Sequence, residues 1–547
     1  MNAPSVIFVI GGVMSSLGKG IATASLGALL KARGFSVWLL KLDPYLNVDA
    51  GTLSPTQHGE TFVTLQGKET DLDLGHYERF TGNTNSGWYS SGTLYQELIS
   101  KERQGKFQGK TLQIIPHVTE AIKEKILSCP PGTDFILCEI GGTVGDIEGL
   151  SFLEAARQLK GDLGPKRCLF IHLSWIPYLK QVAELKTKLV QHSVMALQRV
   201  GIQPDIILCR SDRHLSTTIK QKIALFCNIS HRHVIEALDA PMIYAVPLLY
   251  HQAGLDGVVM EYFERDSISP DLSAWNTLIH TMQSCQKKVK IGLLGKYTKG
   301  SDAYKSVEEA LHHAGAHQDT SVEIYMIDAE HLNSEKQAKI MLEECDGIII
   351  PGGFGSRASE GLIRGIHYGR KAKIPTFGIC FGMQLMVIES VRYETSLQNA
   401  TSSEFEDSGT PVVAMMFQWM EGNVLRTYQK SQGMGGTMRL GAQPCTLTEG
   451  SLAYRIYGTK EIIERHRHRY EINNLYLDEI QRSGLKIGGW SCHHPLIEMI
   501  ERQDHPWYIG VQFHPEFASR PFAPHPLFVD FLRAAQELQQ KRIGNIL

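Results

Sequence analysis

Paired cysteines, long apolar runs and net charge are all scarce in this sequence, and each scarcity removes a class of function. The 547 residues include 10 cysteines, none in a Cys-x-x-Cys arrangement. A disulfide framework or structural zinc site is therefore not expected, and a reducing, cytoplasmic setting is. No apolar run approaches the ~20 residues of a membrane helix, so no membrane association is expected. Residues 1–10 lack the basic start and cleavage site of a secretory leader. Formal net charge is −2, from 55 basic and 57 acidic residues, which argues against broad electrostatic binding to nucleic acid and leaves basic residues to act locally. No internal repeat is visible. The length calls for two or three domains.

Short apolar runs alternate with helical patterns. In the first half, strands are expected at Ser5–Ile10, Ser36–Leu42, Asp134–Cys138, Arg167–Leu173, Asp205–Cys209 and Met242–Val246, with helices at Ala22–Arg33, Ser91–Gln104, Pro116–Leu127, Phe152–Lys160, Gln181–Arg199 and Ser216–Cys227. The turn cluster Ser267-Ile268-Ser269-Pro270-Asp271 opens one amphipathic helix, Leu272–Cys285, which reads as a connector. A second series places strands at Val289–Leu294, Val322–Ile327, Gly347–Ile350, Thr376–Ile379, Val412–Met415 and Tyr508–Phe513, with a polar loop at Ser396–Thr410. This alternation predicts an α/β protein of two Rossmann-like domains, each a mostly parallel sheet flanked by helices. Their expected bounds are 1–266 and 289–547, with a linker helix in 267–288.

Between the first strand and the first helix lies Gly11-Gly12-Val13-Met14-Ser15-Ser16-Leu17-Gly18-Lys19-Gly20-Ile21. Strand, glycine-rich turn and helix is the setting in which backbone N–H groups and a helix N-terminus cradle phosphate. Lys19 would reach the outer phosphates. Five residues separate Gly12 from Gly18, one more than in the common phosphate loop, and Gly20 stands where that loop has Ser or Thr. The hydroxyl that would hold magnesium is missing, so carboxylates from elsewhere must do that work. A glycine turn can also be purely structural; the strand–turn–helix context favours phosphate.

Glu139 directly follows an apolar strand, and Asp73 lies in Asp71-Leu72-Asp73-Leu74-Gly75-His76. Ligands of parallel sheets gather beyond the carboxyl ends of the strands. Glu139 is therefore expected near Lys19, and two such carboxylates can hold a magnesium ion that bridges nucleotide phosphates. Lys41 ends another strand, where a cation can stabilise a transferring phosphoryl group. Lys186, Thr187, Lys188 and Gln191 fall on one expected helix and Lys222 on another. Lysines in such patterns normally face solvent, and these matter only if a second polyanion must be bound.

In the second half, Thr376-Phe377-Gly378-Ile379-Cys380-Phe381-Gly382 is a strand running into Gly-x-Cys-x-Gly and then a helix, the thiol form of a nucleophile elbow. A helix N-terminus favours the thiolate. His514 and Glu516 end an apolar run two residues apart, so one can take the thiol proton and the other can orient the imidazole. Pro351-Gly352-Gly353-Phe354-Gly355 offers N–H groups for an oxyanion, through Gly353 and the amide after Cys380. His466-Arg467-His468-Arg469-Tyr470 has no matching ligand set or wider basic patch, so neither a metal nor a nucleic-acid role is assigned to it.

In order and context, Pro351–Gly355, Gly378–Gln384 and His514–Glu516 resemble class I, triad-type glutamine amidotransferase domains. Gly11–Ile21, Lys41–Asn47, Ser54–Glu60, Asp71–Phe80, Glu139–Glu148 and Lys222–Asn228 resemble the synthetase domain of the CTP synthase family, and the likeness covers nearly the whole chain. The resemblance implies a ligase in which ATP phosphorylates the C4 oxygen of UTP. Ammonia from glutamine hydrolysis at Cys380 then passes between domains and displaces the phosphate to give CTP. By matching positions, it implies ATP at Ser16, Leu17, Gly18, Lys19, Gly20 and Ile21, at Asp73, and at Leu238, Asp239 and Ala240. Magnesium would sit at Asp73 and Glu139, and Lys19 and Lys41 would assist phosphoryl transfer. UTP or the feedback inhibitor CTP would bind Ser15, Lys186, Thr187, Lys188, Leu189, Val190, Gln191 and Lys222, with Asp146, Ile147 and Glu148 at the inhibitor site. Glutamine would be held by Gly353, Phe381, Gly382, Met383, Gln384, Glu404 and Arg469. The resemblance further implies GTP as allosteric activator, with Arg357 a candidate contact, a homotetramer, and no organic prosthetic group.

A cobyrinic acid amide synthase shares the altered phosphate loop and a triad-type glutaminase, and is the nearest rival. The lysines at 186, 188 and 222 argue against it, because a corrin carboxylate needs no triphosphate site. A scaffold protein with a decayed site is opposed by intact Lys19, Asp73, Glu139, Cys380, His514 and Glu516.

Overall fold

Val6–Ile10 is an unbroken apolar, β-branched run of the kind covered on both faces. In the computed structural model, which describes residues 4–266, 268–298, 302–405, 408–415, 418–421, 424–427, 438–493 and 495–544, it forms β1 (Ser5–Gly11) inside a parallel sheet. Ser267 of the expected turn, and Glu406 and Asp407 of the expected loop, lie outside the described residues.

Two compact units form, one of residues 1–52 and 73–279, the other of residues 53–72 and 280–547. The break at 279/280 falls inside the expected connector, whose helix runs Ser273–Ser284. The second unit also takes in 53–72, a segment that sequence order would assign to the first. Buried charge explains this. The Glu60 carboxylate accepts from the Ser306 N–H (3.1 Å), Glu69 pairs with Arg467 Nε (2.8 Å), and Arg465 donates to the Val63 carbonyl (3.1 Å).

The first unit's sheet comprises β1, β2 (Val37–Asp43), β3 (Gly87–Ser90), β4 (Phe135–Ile140), β5 (Cys168–Trp175), β6 (Ile206–Ser211) and β7 (Val234–Leu238). Their order is β7-β6-β5-β1-β4-β2-β3, and every pairing is parallel. Helix α1 (Lys19–Ala32) follows β1, and α2 (Asp73–Thr81) packs against it. Two expectations are corrected. Met242–Val246 is not a strand: Ile243–Ala245 is a helical turn leading into the helix Val246–Gln252, where Pro247 suits a first turn that needs no N–H. The helix expected from Gln181 starts at Lys188 (α3, Lys188–Arg199), because Tyr178–Leu179 and Glu184–Leu185 pair as a small hairpin and the Lys186 N–H donates to the Pro177 carbonyl (2.9 Å). Lys222 lies on α4 (Thr217–Cys227).

The second unit holds β8 (Lys287–Gly295), β9 (Thr320–Asp328), β10 (Gly347–Ile350), β11 (Thr376–Ile379), β12 (Arg439–Leu447), β13 (Glu461–His468), β14 (Lys486–Ser491), β15 (Ile497–Glu501) and β16 (Tyr508–Val511). Their order is β9-β8-β10-β11-β16-β15-β14-β12-β13. The first five strands in that order are parallel and the rest antiparallel. Val412–Met415 belongs to a strand of a separate small sheet with Ala400–Ser402 and Tyr470–Ile472, so Ser396–Thr410 is not wholly loop. Helix α5 (Phe381–Glu394) is buried over most of its length beside β11.

Candidate active sites

The first site forms where the parallel strands of the first unit end. Gly18 caps α1 in the left-handed region (φ 94°), and Val13 (φ 73°) and Ser16 (φ 57°) are left-handed too. A β-branched residue at positive φ is strained, as functional loops often are. Ser15 and Ser16 are exposed on this loop, and Leu17 is buried. Lys19 is buried and donates to the Gly142 carbonyl (2.7 Å). At Gly20 a Cβ would overlap the carboxylate of Asp73. The hydroxyl residue missing from the loop is missing because Asp73 fills its space.

Asp73 opens α2 and pairs with Lys41, whose Nζ also lies 3.8 Å from Glu139 and 3.7 Å from Asp43. Glu139 is 1% exposed, and the Tyr77 hydroxyl donates to it. Burial and the nearby Asp73 charge push the Glu139 carboxyl up to about 7, against Lys41 and Lys19. Burial also acts to raise Asp73, but Lys41, His76 and Lys19 outweigh it and hold that carboxyl below its usual range. Glu139 is thus short of positive charge, which is the condition a divalent cation between two carboxylates relieves.

Leu238 ends β7, and the Asp239 N–H donates to the Ser211 carbonyl (3.1 Å) beside Ala240. Arg210 ties this segment to the phosphate loop, pairing with Asp239 (3.0 Å) and donating to the Leu17 carbonyl (2.8 Å). Under Gly12 a buried His172–Ser193 pair (2.7 Å) leaves no room for a Cβ. Burial, with Lys19 adding, pulls His172 down to about 4, so it stays neutral. Asp146 accepts from the Thr143 N–H (2.6 Å), and Ile147 and Glu148 point outward. Lys186 pairs with Glu184 (2.5 Å), and Lys186 with, more weakly, Lys222 holds that carboxyl below its usual range, which puts both lysines in one neighbourhood. Thr187 is buried and accepts from Gln191 (3.0 Å), Lys188 is exposed and Leu189 half-buried. Val190 packs into the core, so only its backbone is available to a ligand.

The second site is made by two adjacent strands. β11 and β16 pair with Ile379 opposite Val511, so Cys380 leaves one strand end and His514 the other. Cys380 has φ 52° and ψ −103°, and its N–H donates to the Val511 carbonyl (2.7 Å). This is the strained elbow ahead of α5. Cys380 Sγ lies 3.6 Å from the Arg467 carbonyl, and Gln512 Nε2 donates to it at 3.6 Å. His514 Nδ1 donates to Glu516 (2.7 Å), which leaves Nε2 for the thiol. Burial disfavours the imidazolium, but Glu516 and Cys380 outweigh it and raise His514 to about 10, so the imidazole keeps its second proton beside the sulfur.

Gly352 packs on His514, where an added Cβ would stand 2.8 Å from Cε1. Gly353, Phe354, Arg467 and Glu60 line the same cleft. Arg467 and Arg469 lie over the Phe354 ring, and Glu404 accepts from the Gly355 N–H (2.7 Å). Burial raises the Glu404 carboxyl against that bond, Lys296 and Arg469. Gln384 donates to the Tyr470 carbonyl (2.8 Å), Phe381 and Met383 are buried, and Gly382 has no room for a Cβ against Ile350. Arg357 pairs with Glu330 (2.5 Å) and donates to the Lys296 carbonyl (2.6 Å).

Sequence reading missed Arg210, His172, Gln512 and the Arg467–Glu69 pair. Arg210, His172 and Gln512 sit in or next to strands that end at a site, which is the signal that could have found them. Nothing local marks Glu69, whose partner lies far along the chain.

A family model described as CTP synthase N-terminus matches residues 5–265, and one described as glutamine amidotransferase class-I matches residues 301–534. A CTP synthase of Hyphomonas neptunium is 52% identical over 541 residues, covering 98% of this chain and 99% of its own. One of Paramagnetospirillum magneticum is 51% identical over 539 residues, covering 98% and 99%. One of Caulobacter vibrioides is 51% identical over 541 residues, covering 97% and 98%. These matches favour CTP synthases over the cobyrinic acid amide synthases.

Proposed function

The chain belongs to the CTP synthase family, and we propose how its two sites share the ATP-dependent amination of UTP with glutamine nitrogen that this membership entails. Residues 1–266 act as the synthetase domain, 267–288 as the linker helix and 289–547 as the amidotransferase. In the first site Ser16–Ile21 and Leu238–Ala240 hold ATP, and Ser15, Lys186–Gln191 and Lys222 hold the UTP triphosphate, with Asp146–Glu148 serving CTP as inhibitor. Lys19 and Lys41 meet the charge that builds as the γ-phosphoryl group moves to the C4 oxygen of UTP. Asp73 and Glu139 suit a magnesium ion, which when bound neutralises phosphate charge. Ammonia then attacks C4 and phosphate leaves.

In the second site the Cys380 thiolate attacks the glutamine amide carbon. The N–H groups of Gly353 and Phe381 face the oxyanion, and Glu404, Gln384 and Arg469 hold the amino acid. His514 gives its proton to the departing ammonia, then takes one from the water that cleaves the thioester, while Glu516 holds its tautomer. GTP acts as activator near Arg357. Exposed Ile114 (48%), Ile115 (53%), Ile147 (81%) and Leu150 (43%) support assembly into a homotetramer. Among the described residues no helix is long and apolar enough to cross a membrane, and the described cysteines are free thiols, which supports a cytoplasmic setting.

The observation that carries this reading is the near-full-length identity, which brings both sites together in one chain. The test is purified protein with UTP, ATP, magnesium and glutamine, following CTP. Cys380→Ala should abolish glutamine-dependent CTP formation and spare synthesis from added ammonia. Loss of both in a folded protein would defeat the two-site reading.

A further inference from the structure

Lys296 has no role in the account above, yet it touches both halves of the oxyanion cradle. It directly follows β8 and is 4% exposed. Its ammonium donates to the carbonyls of Phe354 (2.5 Å) and Gly355 (2.8 Å) and lies 4.3 Å from the centre of the Phe381 ring. Its Cε packs on Gly353, where an added Cβ would stand 2.9 Å away. The lysine backbone is pinned as well. Its N–H donates to the Tyr304 hydroxyl (3.1 Å), and its carbonyl accepts from Arg357 (2.6 Å).

We infer that Lys296 is a positioning residue for glutamine hydrolysis: its ammonium fixes the Pro351–Gly355 loop and the Phe381 ring so that the N–H groups of Gly353 and Phe381 both face the developing oxyanion. This rests on the glutaminase reading of the Cys380 site. The Gly353 peptide is held between the Lys296 stem and, one residue earlier, the His514 imidazole. Beyond it, two carbonyls point at the ammonium, and the Gly355 N–H is taken by Glu404. A buried ammonium held by neutral carbonyls is costly, and a plain structural contact would not require one.

The charged groups facing this lysine are Glu404 and Arg357, the latter paired with Glu330; Arg467 and Arg469 lie across the Phe354 ring. Burial pulls the ammonium down to about 8, with Glu404 opposing and Arg357 adding. The charged form is present below that value and is lost as pH rises through it. His514 holds its proton to about 10, so a loss of rate near 8 is separable from loss of the His514 proton.

The experiment uses full-length wild type, Lys296→Met and Lys296→Arg, with glutamine hydrolysis measured from pH 6.5 to 9.5. Lys296→Met should lower kcat about tenfold or more with KM within about threefold, because oxyanion contacts act in the transition state. Iodoacetamide should alkylate Cys380 at the wild-type rate, since that reaction needs no oxyanion cradle. Wild-type kcat should fall above about pH 8, and Lys296→Arg should recover most of the rate and lose that fall, because arginine stays charged. Unchanged kcat in Lys296→Met, or a loss confined to KM, overturns the assignment. If Lys296→Met unfolds, Lys296→Arg decides, and a decline near pH 8 that persists in it overturns the assignment. A wild-type protein that hydrolyses no glutamine overturns the reading of the Cys380 site itself, an outcome distinct from an active wild type matched by an equally active Lys296→Met.

Discussion

Replacing Gly20 with serine restores the residue that ordinary phosphate loops carry, and the expected result is inactivation. A Cβ at this position would overlap Asp73 Oδ1 and Cγ and come within 3.1 Å of Asp73 Cβ. Gly20 has no left-handed φ, so the backbone tolerates serine and the conflict is confined to the side chain. Normal contact returns only if the carboxylate withdraws by ~1 Å or more, and misplacement on that scale costs about a hundredfold in rate. That corresponds to ~2.7 kcal/mol at the barrier. Overpacking the α1–α2 contact costs a further ~1–3 kcal/mol of stability, visible as a lowered Tm. The assay is ammonia-driven CTP formation at saturating UTP and ATP, which bypasses Cys380, beside a thermal melt. Gly20→Ala should fail as badly as Gly20→Ser, because the Cβ is at fault and not the hydroxyl. A rate in Gly20→Ser within threefold of wild type would refute the packing argument, and a normal Gly20→Ala beside a dead Gly20→Ser would move the cause to the hydroxyl.

Arg210→Met removes the tie between the Leu17 carbonyl and Asp239 and should raise the KM for ATP about tenfold, with glutamine hydrolysis in the absence of nucleotide as the comparison. Gly352→Ala should cut glutamine-dependent synthesis about a hundredfold, since its Cβ would stand 2.8 Å from His514 Cε1, while synthesis from ammonia continues. Glu139 holds its proton to about 7 in the fold against 4.5 as a free side chain, so its penalty is absent below 4.5, grows as pH rises between those values and is complete above 7. Metal-free Glu139→Gln should therefore melt above wild type at pH 8, with the gap closing toward pH 4.5.

The parallel core was legible because strands buried on both faces announce themselves as apolar runs. Gly347–Ile350 and Thr376–Ile379 match their expected bounds. The antiparallel half of the second sheet was not legible. β13, Glu461–His468, places charged and histidine side chains at most positions and buries several of them in polar contacts, so no hydrophobic period marks it. Glu464, for example, pairs with His525 (2.9 Å) inside the unit. The thiol and histidine proposed to act on glutamine could be read from local motifs because each ends a strand. Lys296 ends a strand as well, but a lone lysine there carries no motif. Segment 53–72 escaped for a different reason: membership of a compact unit is decided by distant partners such as Ser306 and Arg467.

The two sites handle buried charge in opposite directions, and this constrains the pH at which they can cooperate. At the first, without metal, Lys41 and Lys19 do not fully offset two carboxylates, so Glu139 keeps a proton up to about 7. At the second, Glu516 and the thiol overcompensate burial, so the imidazolium survives to about 10 and is not the first group to fail on the alkaline side. That group is Lys296, buried among carbonyls and deprotonating at about 8. Amination from added ammonia bypasses Lys296 and should lack that alkaline limit. Amination from glutamine depends on Lys296 and should fall above about pH 8, while synthesis from added ammonia at the same pH continues.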